Sequence, residues 1–117
     1  MSPRIFESEY RFCLIMWANE PISCADLAKL CEEQLDWRRT TTYTVIKRLC
    51  ERGVIRKTGS IVTSVVSKEE AQVAEVEEML DKRFEGSVPA FIAAFARRQN
   101  MTEEEAEKLR RLIDGKD

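Results

Sequence analysis

Histidine is absent from all 117 residues. Its absence excludes Ser/His/Asp and Cys/His catalysis, histidine-ligated zinc and a charge switch near neutral pH. Glycine is scarce as well: four residues at 53, 59, 86 and 115 are too scattered to build a phosphate-cradling loop. The four cysteines, Cys13, Cys24, Cys31 and Cys50, contain no C-x-x-C pair, so neither a zinc ribbon nor a redox dithiol is indicated. Cys24 and Cys31 share the apolar side of a predicted helix with Leu27 and Ala28, which reads as buried, reduced thiols acting as small hydrophobes. A thiol-responsive role is the alternative reading of the same residues. Long apolar runs are missing too. The longest, Phe12 to Ala18, is seven residues, against the roughly 20 needed to cross a bilayer. The opening MSPRIFESE lacks the apolar core of a secretory signal. These absences predict a cytoplasmic protein with no membrane insertion. Acid pairs such as Glu32-Glu33 and Glu77-Glu78 are adjacent on helices, so they diverge by about 100° and do not converge on one bond. No enzyme activity, cofactor or metal site is expected.

What the chain does have is focused positive charge. Residues 37–58, WRRTTTYTVIKRLCERGVIRKT, hold seven basic residues and one acid in a chain whose net charge is −2. At helical spacing Thr42, Val45, Ile46, Leu49 and Gly53 fall on one side, and Thr40, Tyr43, Thr44, Lys47 and Glu51 on the other. One face is suited to docking on a core. The other offers hydroxyls with cations on and beside it, which a helix in a DNA major groove needs for base edges and phosphates. A merely solvated surface helix is the plainer reading of such charge.

The surrounding pattern gives that helix a setting. Ser8 to Ala18 predicts a first helix with Ser8 as N-cap and a stripe of Tyr10, Cys13, Leu14 and Trp17. Pro21 stops it, and Ser23 caps a second helix carrying Cys24, Leu27, Ala28 and Cys31. The basic helix follows, with Gly53 as its C-terminal cap. Val54-Ile55 and Ile61-Val62, Val65-Val66 then flank Lys57-Thr58-Gly59-Ser60, predicting a hairpin. Three helices and a hairpin make a winged helix-turn-helix. Residues 1–66 carry a net +2 and residues 67–117 a net −4, which places a domain boundary near 66. In the acidic half, Ser67 with Glu70 and Thr102 with Glu105 are capping boxes, and Ser87 caps a helix between them. Three short amphipathic helices cannot bury their stripes alone. Packing back on the winged helix is one way to cover them, but DNA readers of this size commonly need two half-sites, so residues 67–117 are expected to form a helical dimerisation domain.

Read together, the chain resembles the penicillinase repressor family of BlaI/MecI/CopY-type winged-helix repressors. The resemblance is carried by Glu9 to Trp17 (EYRFCLIMW) and by Trp37, Thr40, Thr41, Thr44, Arg48 and Leu49 at the family's spacing. Arg52-Gly53-Val54-Ile55 and the C-terminal FIAAFARRQNMTEEEAEKLRRLID add to it. It implies a homodimeric repressor on palindromic double-stranded DNA operators, of the kind that controls β-lactam-resistance genes. It also implies release by a membrane-bound sensor metalloprotease cutting at the position of Ala94-Phe95, although Ala94 stands where the best-known members have asparagine. The C-x-C metal hooks of the copper branch are absent. On the residues and the resemblance together, Thr40, Tyr43, Thr44 and Lys47 are assigned to base edges, and Arg38, Arg39, Thr41, Arg48 and Lys57 to phosphates. Arg52 lies nearer the core side, where it suits an acidic partner. The reading from another class is a protein-interaction adaptor built on a winged helix.

Overall fold

Seven consecutive apolar side chains, Phe12 to Ala18, present hydrophobic surface on every side of a helix, so packing rather than periodicity selects the face that is buried. In the computed structural model, which describes residues 4–115, α1 spans Glu7–Asn19. It buries Phe12, Cys13, Ile15 and Met16, together with Glu9. Of the expected stripe only Cys13 is fully buried. Leu14 is exposed, while Tyr10 and Trp17 are half-buried and meet edge to face at 5.7 Å. The Trp17 indole N–H donates to the Val66 carbonyl at 3.0 Å. The helix also starts before Ser8: the Phe6 amide donates to the Glu9 carboxylate at 3.0 Å, and that glutamate satisfies the N-terminus instead of a serine hydroxyl.

After Pro21 a two-residue strand, β1 (Ile22–Ser23), precedes α2 (Cys24–Leu35). Ser23 caps α2 as its sequence position suggests, accepting from the Asp26 amide at 3.1 Å. α2 buries Cys24, Leu27, Ala28 and Cys31, the four residues of the expected stripe. Asp36, in the left-handed conformation at φ 58°, ends it. Trp37 then stacks on Phe12 at 6.1 Å and ties the link to α1. α3 (Arg39–Glu51) is the basic helix. It closes on Gly53 at φ 78°, with Gly53 N–H donating to the Cys50 carbonyl (3.1 Å) and Val54 N–H to that of Leu49 (2.9 Å). This is the paired bonding of a Schellman cap, which needs the positive φ that glycine adopts without strain.

The hairpin is shorter than expected but belongs to a larger sheet. β2 (Ile55–Thr58) and β3 (Ile61–Ser64) pair antiparallel, with Thr58 opposite Ile61 across Gly59-Ser60. β1 pairs with the far edge of β3, giving a three-stranded sheet in the order β1-β3-β2. Val65 and Val66 leave the strand, and both their amides donate to the Val54 carbonyl. The Glu20 carboxylate accepts from the Ser64 amide and hydroxyl at 2.7 and 2.9 Å, latching the end of α1 to β3. The core between helices and sheet is built on Phe12, Met16, Leu27, Leu49, Val54 and Val62.

The described residues thus form a mainly α chain of six helices with a small antiparallel sheet. It divides into two compact units, 1–75 and 76–117, and the division falls inside α4 (Lys68–Arg83). The extreme ends of the two expected domains, residues 1–3 and 116–117, lie outside the described residues. α4 opens on the Ser67–Glu70 box, α5 (Val88–Arg98) on Ser87 and α6 (Glu103–Ile113) on the Thr102–Glu105 box. Bonds from the Thr102 amide and hydroxyl hold the Glu105 carboxyl below its ordinary range. In the second unit Phe91 packs against Phe84 at 5.6 Å and Phe95 at 5.9 Å. No side chain of α5 or α6 is fully buried.

Candidate nucleic-acid interface

α3 packs on α2 and β2, and apart from half-buried Cys50 the residues it does not bury there are exposed. Thr42, Val45, Ile46 and Leu49 are buried against the core. Arg38, Arg39, Thr40, Thr41, Tyr43, Thr44, Lys47 and Arg48 are all exposed, and so is Lys57 on β2. All nine candidate contact residues therefore lie at the surface, eight of them on α3 or its N-cap. Tyr43 leaves 40% of its surface open.

Two local features shape the chemistry of this face. Arg38 is the N-cap of α3 and makes no side-chain capping bond, and the first turn contains no acid. The α1, α2, α4, α5 and α6 starts are each served by a glutamate, serine or threonine side chain. The α3 N-terminus therefore offers backbone donors and the positive end of its dipole beside Arg38 and Arg39, an arrangement suited to phosphate. The second feature concerns Thr44, whose hydroxyl donates to the Thr40 carbonyl at 2.9 Å. Its proton is committed to the helix, so toward a base edge Thr44 presents lone pairs and a methyl group.

Arg52 is where its helical position suggests. It forms an ion pair with Glu9, whose residue is 6% exposed, and its guanidinium lies 5.1 Å from the centre of the Phe6 ring. Of the seven basic residues in 37–58, this one joins α3 to α1. No local pattern marks Glu9 as the partner of Arg52, because a lone glutamate in an amphipathic helix reads as solvent-facing. Arg56 is a further exposed cation on β2 beside Lys57.

The thiols do not form a reactive cluster. Cys13, Cys24 and Cys31 are buried, Cys50 is half-buried, and all four are free. Burial, with Glu9 adding to it, pushes the Cys13 thiol up to about 12. Burial raises Cys31 and Cys50 too, the latter although its sulfur accepts from the Lys57 amide. Because the folded Cys13 value lies above the unfolded one, its protonated thiol favours the native state, and stability is lost as pH rises from 9 toward 12. Iodoacetamide at mildly alkaline pH is expected to label Cys13 only after denaturant is added, with mass spectrometry reading the adduct. Labelling of Cys13 at the same rate with and without urea would contradict its burial. Among the described residues no cluster of potential ligands suits a metal ion, and no helix is long and apolar enough to cross a membrane.

The comparison with known proteins agrees with this architecture along almost the whole chain. The family model described as penicillinase repressor matches residues 5–115. The methicillin resistance regulatory protein MecI of Staphylococcus aureus strain Mu50 is 24% identical over 116 residues, covering 96% of this chain and 94% of that protein. The proteins of the same name from Mammaliicoccus sciuri and Staphylococcus epidermidis are 23% identical over the same shares. A match that takes in α1, the basic helix, the hairpin and all three C-terminal helices is a match to the architecture entire, and the chain belongs to the penicillinase repressor family of transcriptional repressors, not to a family of enzymes.

Proposed function

We propose that this repressor is a cytoplasmic homodimer that binds palindromic double-stranded DNA through α3. Thr40, Tyr43, Thr44 and Lys47 meet base edges in the major groove, and Arg38, Arg39, Thr41, Arg48 and Lys57 meet phosphates. The observation that carries this reading is the free face of α3. It is hydroxyl-rich, flanked by cations, and opens on an uncapped N-terminus with no acid in its first turn. The names of all three relatives refer to methicillin resistance, and genes of that class are the proposed targets here.

Salt dependence is the direct test. With 6–10 phosphate contacts, affinity for operator DNA falls roughly 10³–10⁵-fold between 50 and 200 mM salt. Absence of binding to a genomic fragment pool at low salt would favour the adaptor reading instead. Within the face, Lys47→Ala is expected to lose about 1–3 kcal/mol on the cognate site only, whereas Arg39→Ala weakens all sequences alike and flattens the salt slope. Equal losses on cognate and random DNA for Lys47→Ala would remove that residue from base readout. Operator affinity that holds after mild oxidation, as the buried thiols lead one to expect, would retire the thiol-responsive variant.

Dimerisation is supported by the second unit. Val76, Val88, Phe95, Leu112 and Ile113 are exposed large hydrophobes on α4 to α6, more than three short helices leave uncovered without a partner. The same helices bear on release by a sensor metalloprotease. The Ala94-Phe95 bond lies inside α5, so a protease must first open that helix. In the single chain α5 has no fully buried residue and opens at low free energy, whereas pairing of two copies through Phe95 would protect it. Co-expression with such a protease, followed by mass analysis, checks whether this bond is cut.

A further inference from the structure

Beside the face assigned to DNA, a cleft of about 760 Å³ lies between α3 and the edge strand β2. That volume is within the range of small-molecule sites, roughly 300–1,000 Å³. Its walls are of two kinds. Ile46 and Ile55 close the bottom of the cleft as nearly fully buried side chains, and Val65, 46% exposed, supplies most of its open aliphatic surface. Around them stand Lys47, Arg56 and Lys57, with Glu51 as the acid among the lining residues. Tyr43 contributes its ring at the α3 edge.

DNA explains the cations but not the hollow. A phosphate chain is hydrated and polar and gains nothing from an isoleucine-lined floor. Cations alone also do not require a concave surface. An apolar floor with three cations and one acid around it complements a compact apolar body carrying a single negative head. We infer that this cleft binds a small amphipathic carboxylate, and that occupancy lowers DNA affinity. The second half follows from shared residues: Tyr43, Lys47 and Lys57 line the cleft and also belong to the proposed DNA face, so a ligand holding them competes with DNA. That half rests on the DNA-binding reading above; the binding half does not.

The test uses the full chain with methyl-labelled isoleucine and valine, titrated with benzoate and, separately, with neutral benzyl alcohol. Benzoate is expected to shift the Ile46, Ile55 and Val65 methyl signals saturably. Benzyl alcohol should bind about tenfold more weakly, the worth of one charge-assisted hydrogen bond. Val65→Phe narrows the cleft beside Ile46 and Ile55 and should weaken the benzoate shifts of those two residues while leaving the other methyl signals in place. Saturating benzoate should then reduce operator affinity of the wild-type chain about tenfold or more, and at equal benzoate should lower that of Val65→Phe less. Absence of saturable shifts, shifts spread over the whole protein, or equal response to benzyl alcohol would overturn the site. Saturable shifts with undiminished operator affinity would overturn the competition. If the chain bound no DNA at all, the function proposed above would fail while the titration still decided the cleft.

Discussion

Glu9→Ala is expected to destabilise the first unit by about 2–3 kcal/mol and to weaken DNA binding without touching the DNA face. Glu9 does two things at once: it accepts from the Phe6 amide at the start of α1 and neutralises Arg52 at the end of α3. Its removal leaves a guanidinium beside the Phe6 ring with no counter-charge and an amide with no acceptor. Breaking a fully buried pair costs about 3–5 kcal/mol. Here the Arg52 side chain is 29% exposed, and partial hydration reduces that figure. Because Arg52 is also the C-cap residue of α3, the loss is felt where the basic helix is fixed to α1. Urea unfolding of Glu9→Ala, Arg52→Ala and the double variant measures the coupling. The double variant should recover part of the loss, since no orphaned charge remains. Unchanged unfolding midpoints in both single variants would show that the pair is ornamental.

The second large effect is expected from paired substitution of Phe95 and Ile113 by aspartate. These side chains are 52% and 66% exposed in the single chain, so each has about 1 kcal/mol or more still to gain from burial. Four of them across a two-fold interface amount to about 4 kcal/mol, or ~10³-fold in the dimer dissociation constant. Aspartate adds the penalty of burying a charge. The variant should sediment as a monomer and lose operator affinity, because two half-sites are no longer read by one linked body. The first unit has its own core and should unfold as before. A variant that stays dimeric and binds operator normally would move the interface elsewhere.

Most of the architecture was legible because it is written in local signals. Ser23, Ser67, Ser87 and Thr102 each cap the helix that follows them, and Gly53 and Gly59 take the positive φ their turns need. The stripes of α2 and α3 could be read since each has polar residues between the apolar ones. α1 could not be read this way: with Phe12 to Ala18 apolar throughout, the expected stripe missed Phe12, Ile15 and Met16. β1 was also invisible. Two residues between a proline and a helix carry no alternation, and they become a strand only because β3 offers them an edge.

The candidate site divides along the same line. Sequence alone determined that a basic, hydroxyl-bearing helix has one apolar side, since side-chain direction along a helix follows from its 100° step and needs no tertiary information. It likewise determined the starts of α2, α4, α5 and α6, which depend on bonds spanning three residues, whereas α1 begins ahead of its expected Ser8 cap. Only the tertiary structure decided which cation is withdrawn from that face, through Glu9 some forty residues away in the chain. It alone opened a cleft between α3 and β2. Ion pairs and cavities are made by surfaces that meet only after folding, and no periodicity within one segment records its partner in another.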